Sequence, residues 1–522
     1  MSLRSSLFAL SCSLAVVLST STAARPAPQP PQSSDVAARI QRVETGLPAI
    51  QFSDSEPPLP LTIEKVMELY KVPGMSVAVV DNFKIVWAKA YGFTEAGSHT
   101  PVTVHTLFQA GSISKPVAAT GTLSLVQSGK LSLDENVNGK LKSWQVPENE
   151  FTTDQKVTLR RLLSHSAGLT VHGFPGYEAG TPIPTLLQIF NGTPPANTAP
   201  IRVDFVPGTK FRYSGGGITI EQQIVMDVTG KPFPQFMREA VLDKIGMSDS
   251  TYEQPLPPAR AAMAATATRA DGTILPGKRH VYPEMAAAGL WTTATDLARF
   301  GVEIALSDHG KANHVLTEAT TREMLKPQIE QIGLGFFLGG GNNPAEFGHD
   351  GSDEGFQALL IMFSDSGKGL AIMANSDNGI SAANYVVQSV AREYGWNYKT
   401  QPPAAGDVLM MIADLKGPQA ALTRYAELKK AGSASPYIVD ENTLISLGYH
   451  FFSANQTDLA VQTFRLEVQD YPKYWNAYDS IGEAYLKAGQ KDLAIQNYEK
   501  SVELNPQNQN GIDALKKIRD QK

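Results

Sequence analysis

The sequence predicts an α+β domain followed by an all-α tail, and three observations carry that reading. Short β-rich runs cluster twice, within 75–89 and again within 334–374, while the stretch from about 112 to 250 reads mainly as helix. Strands drawn from both ends of a segment, with helices between them, build one sheet with helices packed against it. Beyond Gln401-Pro402-Pro403-Ala404-Ala405-Gly406 the pattern changes to matched positions 34 residues apart. Third, 522 residues with 42% hydrophobic and only 18% charged side chains supply ample apolar material for a large core. The 45 Lys+Arg against 51 Asp+Glu leave a net charge of -6. That balance lacks the basic footprint of a nucleic-acid or anionic-membrane binder.

From the N-terminus, Arg4, the apolar run Leu7 to Leu18 and the small residues Ser21-Thr22-Ala23-Ala24 have the layout of a secretory signal peptide over 1–24, cleaved near Ala24. The expected destination is the periplasm or the outside. Cys12, the only cysteine, lies inside the apolar run. A lipoprotein anchored through Cys12 is disfavoured because Leu14-Ala15-Val16-Val17-Leu18 continues that run. The mature chain then has no thiol and no disulfide, and no later stretch approaches the roughly 18 apolar residues of a membrane span. Arg25-Pro26-Ala27-Pro28-Gln29-Pro30-Pro31 begins a stiff linker over 25–59 with no core-forming pattern. The domain follows over 60–398. A helix is expected over Thr62–Lys71. The runs Met75–Val80 and Ile85–Lys89 form a hairpin around Asp81-Asn82-Phe83-Lys84. The later strands are Leu334–Phe337, Phe356–Phe363 and Leu370–Ala374.

A second linker at 399–406 leads to a helical domain over 407–522. Gly448 and Gly482, Phe451 and Tyr485, Ala460 and Ala494, Phe464 and Tyr498, and Pro472 and Pro506 are each 34 apart. The period resembles that of the tetratricopeptide helical hairpin, with units at 441–474 and 475–508 and a polar capping helix from Gly511 to about Asp520. Asp407–Ala431 reads as a degenerate helical pair. Two units are fewer than the usual three, so they lean on that helix, on the first domain or on a partner. The repeats suit a protein or peptide partner in a helical groove. A bracing or self-association role fits them equally.

The chemistry concentrates in Phe108-Gln109-Ala110-Gly111-Ser112-Ile113-Ser114-Lys115-Pro116, the one Ser-x-x-Lys of the chain. Apolar residues at helical spacing follow from Val117 to Val126. Pro116 lacks an N–H, which places the helix start near Ser112. Residues three apart share a helix face, so the Lys115 amine reaches the Ser112 hydroxyl. A desolvated lysine can serve as the base that a serine nucleophile requires. The plainer alternative is a capping serine beside a solvated lysine.

Four further segments accompany that motif: Val206-Pro207-Gly208-Thr209-Lys210-Phe211-Arg212-Tyr213-Ser214-Gly215, Phe347-Gly348-His349-Asp350-Gly351-Ser352, the run from Thr158 to Leu169, and the run from Ala288 to Leu297. Together they resemble the class C β-lactamase-related serine hydrolases, which include D-Ala-D-Ala carboxypeptidases, penicillin-binding proteins and short-chain esterases. The resemblance covers about 60 to 395. It implies a β-lactamase/transpeptidase-like antiparallel sheet flanked by helices, with a helical subdomain. It also implies an acyl-enzyme on Ser112, with Lys115 and Tyr213 sharing the base role. The N–H groups of Ser112 and Ser352 would form the oxyanion hole. His349, Asp350 and Gly351 stand at the Lys-Thr-Gly motif of the β-lactamases, and Gly215 stands where an amide often contacts the acyl side chain. No cofactor or metal is implied.

The departures favour a neutral ester or amide substrate. His349 carries less positive charge than lysine, Asp350 would repel an anion, and Gly215 removes a hydrogen bond. Two alternatives stand beside this esterase-like reading. One is a peptidoglycan D-Ala-D-Ala peptidase that also reacts with penicillins. The other is a catalytically silent scaffold working through its repeats. His165 reads as a satisfied histidine near the site, and Trp291 as core. His309 and His314, in a polar loop, have no carboxylate at ligand spacing.

Overall fold

The computed structural model describes residues 34–341, 345–398 and 402–520. The expected signal peptide and residues 399–401 of the second linker lie outside them. Six strands build one sheet: β1 (Gly74–Asp81), β2 (Lys84–Gly92), β3 (Phe337–Leu338), β4 (Glu346–Asp353), β5 (Phe356–Phe363) and β6 (Lys368–Ala374). Their order is β2-β1-β6-β5-β4-β3, with every neighbouring pair antiparallel. Strands from both ends of the domain thus meet at β1 and β6, as expected. The β1–β2 turn places Asn82 and Phe83 at φ 50° and 61°, the mirror-image turn whose twist matches a hairpin.

One expected strand is shorter than predicted. Leu334–Phe337 contributes only its last residue, because Gly335 (φ 92°) bends the chain against Pro116 and Ala119. The linker over 25–59 is also corrected. Residues Ser34–Thr45 form helix α1, and Leu47–Ile50 pairs with Leu59–Leu61. Ile40, Val43, Leu47 and Ile50 are buried. The apolar spacing 36-40-43, followed by 47 and 50, was a core-forming pattern hidden behind the proline-rich stretch.

The sheet is covered on both faces, so its central strands are mostly apolar on both sides. Strand periodicity divides them. Ala78 and Val80 of β1, Leu360 and Met362 of β5, and Ala371 and Met373 of β6 join one core, with helices α2 (Ser114–Gln127), α3 (Gly215–Thr229) and α4 (Ala294–Asp308). Met75, Val77 and Val79, Ile361 and Phe363, and Leu370 and Ile372 join the opposite core, with α1 and α5 (Gly379–Glu393).

That second core continues without a break into the tail. Helices α6 (Ala405–Lys416) and α7 (Pro418–Ala431) form the predicted helical pair. They precede α8 (Thr443–Ser453), α9 (Thr457–Asp470), α10 (Trp475–Lys487), α11 (Lys491–Leu504) and α12 (Gln509–Asp520). A Cβ on Gly448 would lie 2.3 Å from the Phe464 ring, and one on Gly482 would lie 3.1 Å from Tyr498. The 34-residue pairs therefore mark the same crossing in successive hairpins. Tail and domain are pinned together by Lys71–Asp414 at 3.2 Å and by Arg424, buried and 2.8 Å from Asp54. The repeats lean on the capping helix α12 at one end and on α6 at the other, and the α6–α7 pair carries the contact with the first domain.

Candidate active site

Ser112 sits in a tight turn, Gly111–Ile113, immediately before α2. Ser114 fixes that turn. Its hydroxyl donates to Gly111 O (2.6 Å) and accepts from Leu290 N–H (3.0 Å), while its carbonyl accepts from Tyr252 Oη (2.7 Å). Ala110 N–H donates to Leu290 O at 2.9 Å. The Ala288–Leu297 segment, recognisable in the sequence, thus braces the Ser112 turn from behind.

Lys115 Nζ donates to Ser112 Oγ at 2.8 Å and to Ala287 O at 2.7 Å. It is 2% exposed. Burial drives its pKa down to about 7, against the opposing pull of Asp353, Asp350 and Glu221. Tyr213 faces Ser112 across the cleft, and burial raises its pKa. The ring lies 5.0 Å beneath Lys115 Nζ. On its other sides it meets His165 (4.3 Å between centroids), His172 (4.9 Å) and Phe337 (6.2 Å, parallel). His165 is no part of the reacting set. Its Nδ1 accepts from Ser214 N–H at 3.2 Å, and its O accepts from Arg212 N–H at 2.9 Å. The Thr158–Leu169 segment therefore positions the Tyr213 loop.

Strand β4 runs against the Ser112 turn at van der Waals limit. A Cβ on Gly351 would fall 1.9 Å from Ala110 O and 3.2 Å from Ser112 N. A Cβ on Gly111, which has φ 49°, would fall 2.5 Å from Ser352 N. The two glycines let the Ser112 and Ser352 amides approach each other, the two-donor arrangement an oxyanion requires. Ser352 Oγ accepts from Gln357 Nε2 at 2.8 Å.

His349 is buried, and its Nδ1 faces Asp350 O. Burial first, then Lys115, push its pKa down to about 4, so the ring is neutral at physiological pH. The Asp350 side chain is 66% exposed at the mouth of the cleft. A Cβ on Gly215 would meet His172 O and the Phe174 ring, both at 3.1 Å. The space an amide side chain would use is filled by the 172–174 loop. The cleft has a volume of about 420 Å³, and its walls include Phe174, Phe211 and Phe337.

All eight residues singled out in the sequence converge here. Four that were not singled out also matter: His172, Phe174, Asp353 and Glu221. Asp353 was legible, since alternation along β4 puts it on the face of His349 and Gly351. The 172–174 loop carries no pattern that could have revealed it. His309 and His314 point apart, to Ser364 O (2.6 Å) and to Glu303 (2.8 Å).

The family model for Beta-lactamase matches residues 61–392, and that for the tetratricopeptide repeat matches 476–508. A Beta-lactamase of Pseudomonas fluorescens is 28% identical over 194 residues, covering 37% of this chain and 50% of that protein. The chain thus spans about half the length of that relative. The putative penicillin-binding protein PbpX of Bacillus subtilis is 26% identical over 319 residues, 59% of this chain and 73% of the relative. The octameric penicillin-binding protein homologue from Pyrococcus abyssi superposes with a TM-score of 0.56 at 21% identity, over 67% of this chain and 79% of that one, a likeness of fold. With a family model spanning most of the sheet-bearing part and a fold that agrees, the chain belongs to the Beta-lactamase family of serine hydrolases.

Proposed function

We propose that the protein is an exported serine hydrolase that cleaves a neutral ester or amide through an acyl-enzyme on Ser112. The observation that carries this reading is the buried Lys115 amine 2.8 Å from Ser112 Oγ. An amine with its pKa near 7 is a competent base at neutral pH. As Ser112 Oγ attacks the substrate carbonyl, its proton passes to Lys115, with Tyr213 sharing the transfer. The amides of Ser112 and Ser352 hold the oxyanion. Tyr213 then returns a proton to the leaving group, and water releases the acyl group by the same steps in reverse order.

The preference for neutral substrates rests on charge. Among the described residues, Lys115 is the one lysine or arginine that lines the cleft; His349 is neutral and Asp350 stands at the mouth. A substrate carboxylate would meet no cation other than the base itself. The similarity to PbpX favours a second reading, a peptidoglycan D-Ala-D-Ala peptidase that reacts with penicillins.

Intact mass spectrometry after brief exposure to p-nitrophenyl acetate or benzylpenicillin tests both. An acetyl adduct on the wild type and none on Ser112→Ala supports the esterase reading. A penicilloyl adduct with faster turnover of D-Ala-D-Ala peptides supports the second. Export is tested by sequencing the N-terminus of the mature protein, expected at Arg25. We assign the repeats a protein or peptide ligand, since a helical groove is built to take one.

A further inference from the structure

The cleft wall formed by residues 170–177 is fixed at both ends, and the acyl-transfer scheme gives its middle no task. At one end Ser214 Oγ donates to Thr170 O at 2.8 Å. Gly216 N–H donates to Val171 O at 3.0 Å, and Gly215 N–H donates to His172 O at 2.9 Å. At the other end Pro175 O accepts from His280 Nδ1 at 3.0 Å, and Tyr177 exchanges backbone hydrogen bonds with Val281. Between these anchors Val171 holds φ 64°, a conformation that a β-branched residue avoids. Such strain persists only where the surrounding bonds impose it. Here it accompanies the delivery of His172 and Phe174 to the cleft.

Three phenylalanines line that cleft, all half-buried: Phe174, Phe211 and Phe337. Two of the rings already have aromatic partners. Phe211 meets His165 edge-on at 6.2 Å, while Phe337 lies parallel to Tyr213 at 6.2 Å and 4.7 Å from His349. Phe174 meets no other ring among the described residues. What it touches is a glycine: a Cβ on Gly215 would lie 3.1 Å from Phe174 Cε2 and 3.5 Å from its Cδ2. One edge of the ring is thus seated on the start of α3, and the ring stands as cleft wall without an aromatic partner. The segment 170–176 holds no carboxylate, lysine or arginine, so this wall suits an uncharged group.

Resting on the Ser112 acyl-transfer reading above, we infer that Phe174 is a specificity-determining residue: the substrate carries a flat aromatic group beside its scissile ester or amide bond, and that group lies against the Phe174 ring. Aromatic pairs in offset or edge-to-face geometry gain more than the area they bury. A ring whose loop is tied down on both sides loses little freedom when it makes such a pair. The cleft, about 420 Å³, is of a size that takes a small organic ligand. A saturated ring of the same bulk would fill the space and forgo the pairing.

The test compares kcat/KM within two pairs of esters whose members differ only in whether the ring is aromatic. Methyl phenylacetate against methyl cyclohexylacetate puts the ring on the acyl side. Benzyl acetate against cyclohexylmethyl acetate puts it on the alcohol side. The aromatic member is expected to be preferred about tenfold in at least one pair, and the pair that shows it identifies the side. Phe174→Leu keeps the apolar bulk without the ring and should bring that ratio close to one, whereas Phe174→Tyr should retain it. Phe174→Met repeats the measurement if the leucine variant does not fold. A ring that only braces the loop would lower both members of a pair alike and leave the ratio unchanged. A preference that survives Phe174→Leu, ratios near one in both pairs, or no turnover of either aromatic ester overturns the inference. The acetyl adduct from p-nitrophenyl acetate separates the two levels. If the wild type forms it and Ser112→Ala does not, such a result removes only the role of Phe174. If Ser112→Ala still forms it, or the wild type does not, the acyl-transfer reading fails first.

Discussion

Lys115 is destabilising where it stands. A pKa of about 7 in the fold against 10.5 in the open chain means the unfolded state binds more protons between those values. Stability is therefore lost as pH falls from about 10.5 to about 7, and the loss is complete below that. Lys115→Met removes it: thermal unfolding should show a variant stabilised by about 3 kcal/mol below pH 7, a gain that vanishes above about pH 10.5. In the wild type the same titration makes neutral-ester hydrolysis rise with pH through about 7, which a stopped-flow profile would check. Ser112, Lys115 and Tyr213 were legible because one-turn spacing and five ordered motifs fix them. His172 and Phe174 were not, since a loop without periodicity carries no record of where it lands. Asp353 lies between these cases: its side was readable from strand alternation, its burial was not.

At the level of elements, the contact between β4 and the Ser112 turn tolerates no side chain. Gly351→Ala would drive a methyl into Ala110 O at 1.9 Å, so the strand must retreat and the two amides separate. We expect at least a hundredfold loss of kcat with KM little changed, measured on the same ester. The helical repeats offer a graded comparison. Gly448→Ala meets the ring of Phe464 at 2.3 Å, whereas Gly482→Ala meets Tyr498 at 3.1 Å. Alanine gains about 1 kcal/mol of helix propensity at either site, so urea unfolding should find Gly448→Ala destabilised by about 1–2 kcal/mol and Gly482→Ala close to neutral. The 34-residue register announced both crossings. The shortened strand at Leu334–Phe337 shows the opposite case, in which Gly335 overrode an apolar run that sequence alone read as extended.

For the whole molecule, the decisive feature is the core shared by sheet and tail. Removing residues 402–520 would open the core that Val408 and Tyr437 share with Tyr70 and Tyr385, take the Tyr437 hydroxyl from Gln51, and leave Asp54 without Arg424. The truncated domain should lose solubility and unfold at a temperature more than about 5 °C lower. The full chain should melt in a single transition, and scanning calorimetry reads both. Composition and the 34-residue period made two architectures visible; they could not reveal that the two share one interior, because burial between distant segments leaves no local pattern. The misread linker has the same origin, for α1 is held by α5, more than 300 residues away.

The split of the sheet by parity gives this arrangement a historical dimension. In β1, Ala78 and Val80 look toward the reacting serine, while Met75, Val77 and Val79 look toward the tail. Neighbouring positions along one strand thus answer to different masters. A lineage that exchanged its tail for another appendage would need to rewrite only every second residue of β1, β5 and β6. The letters in between, and the chemistry they support, could be inherited unchanged.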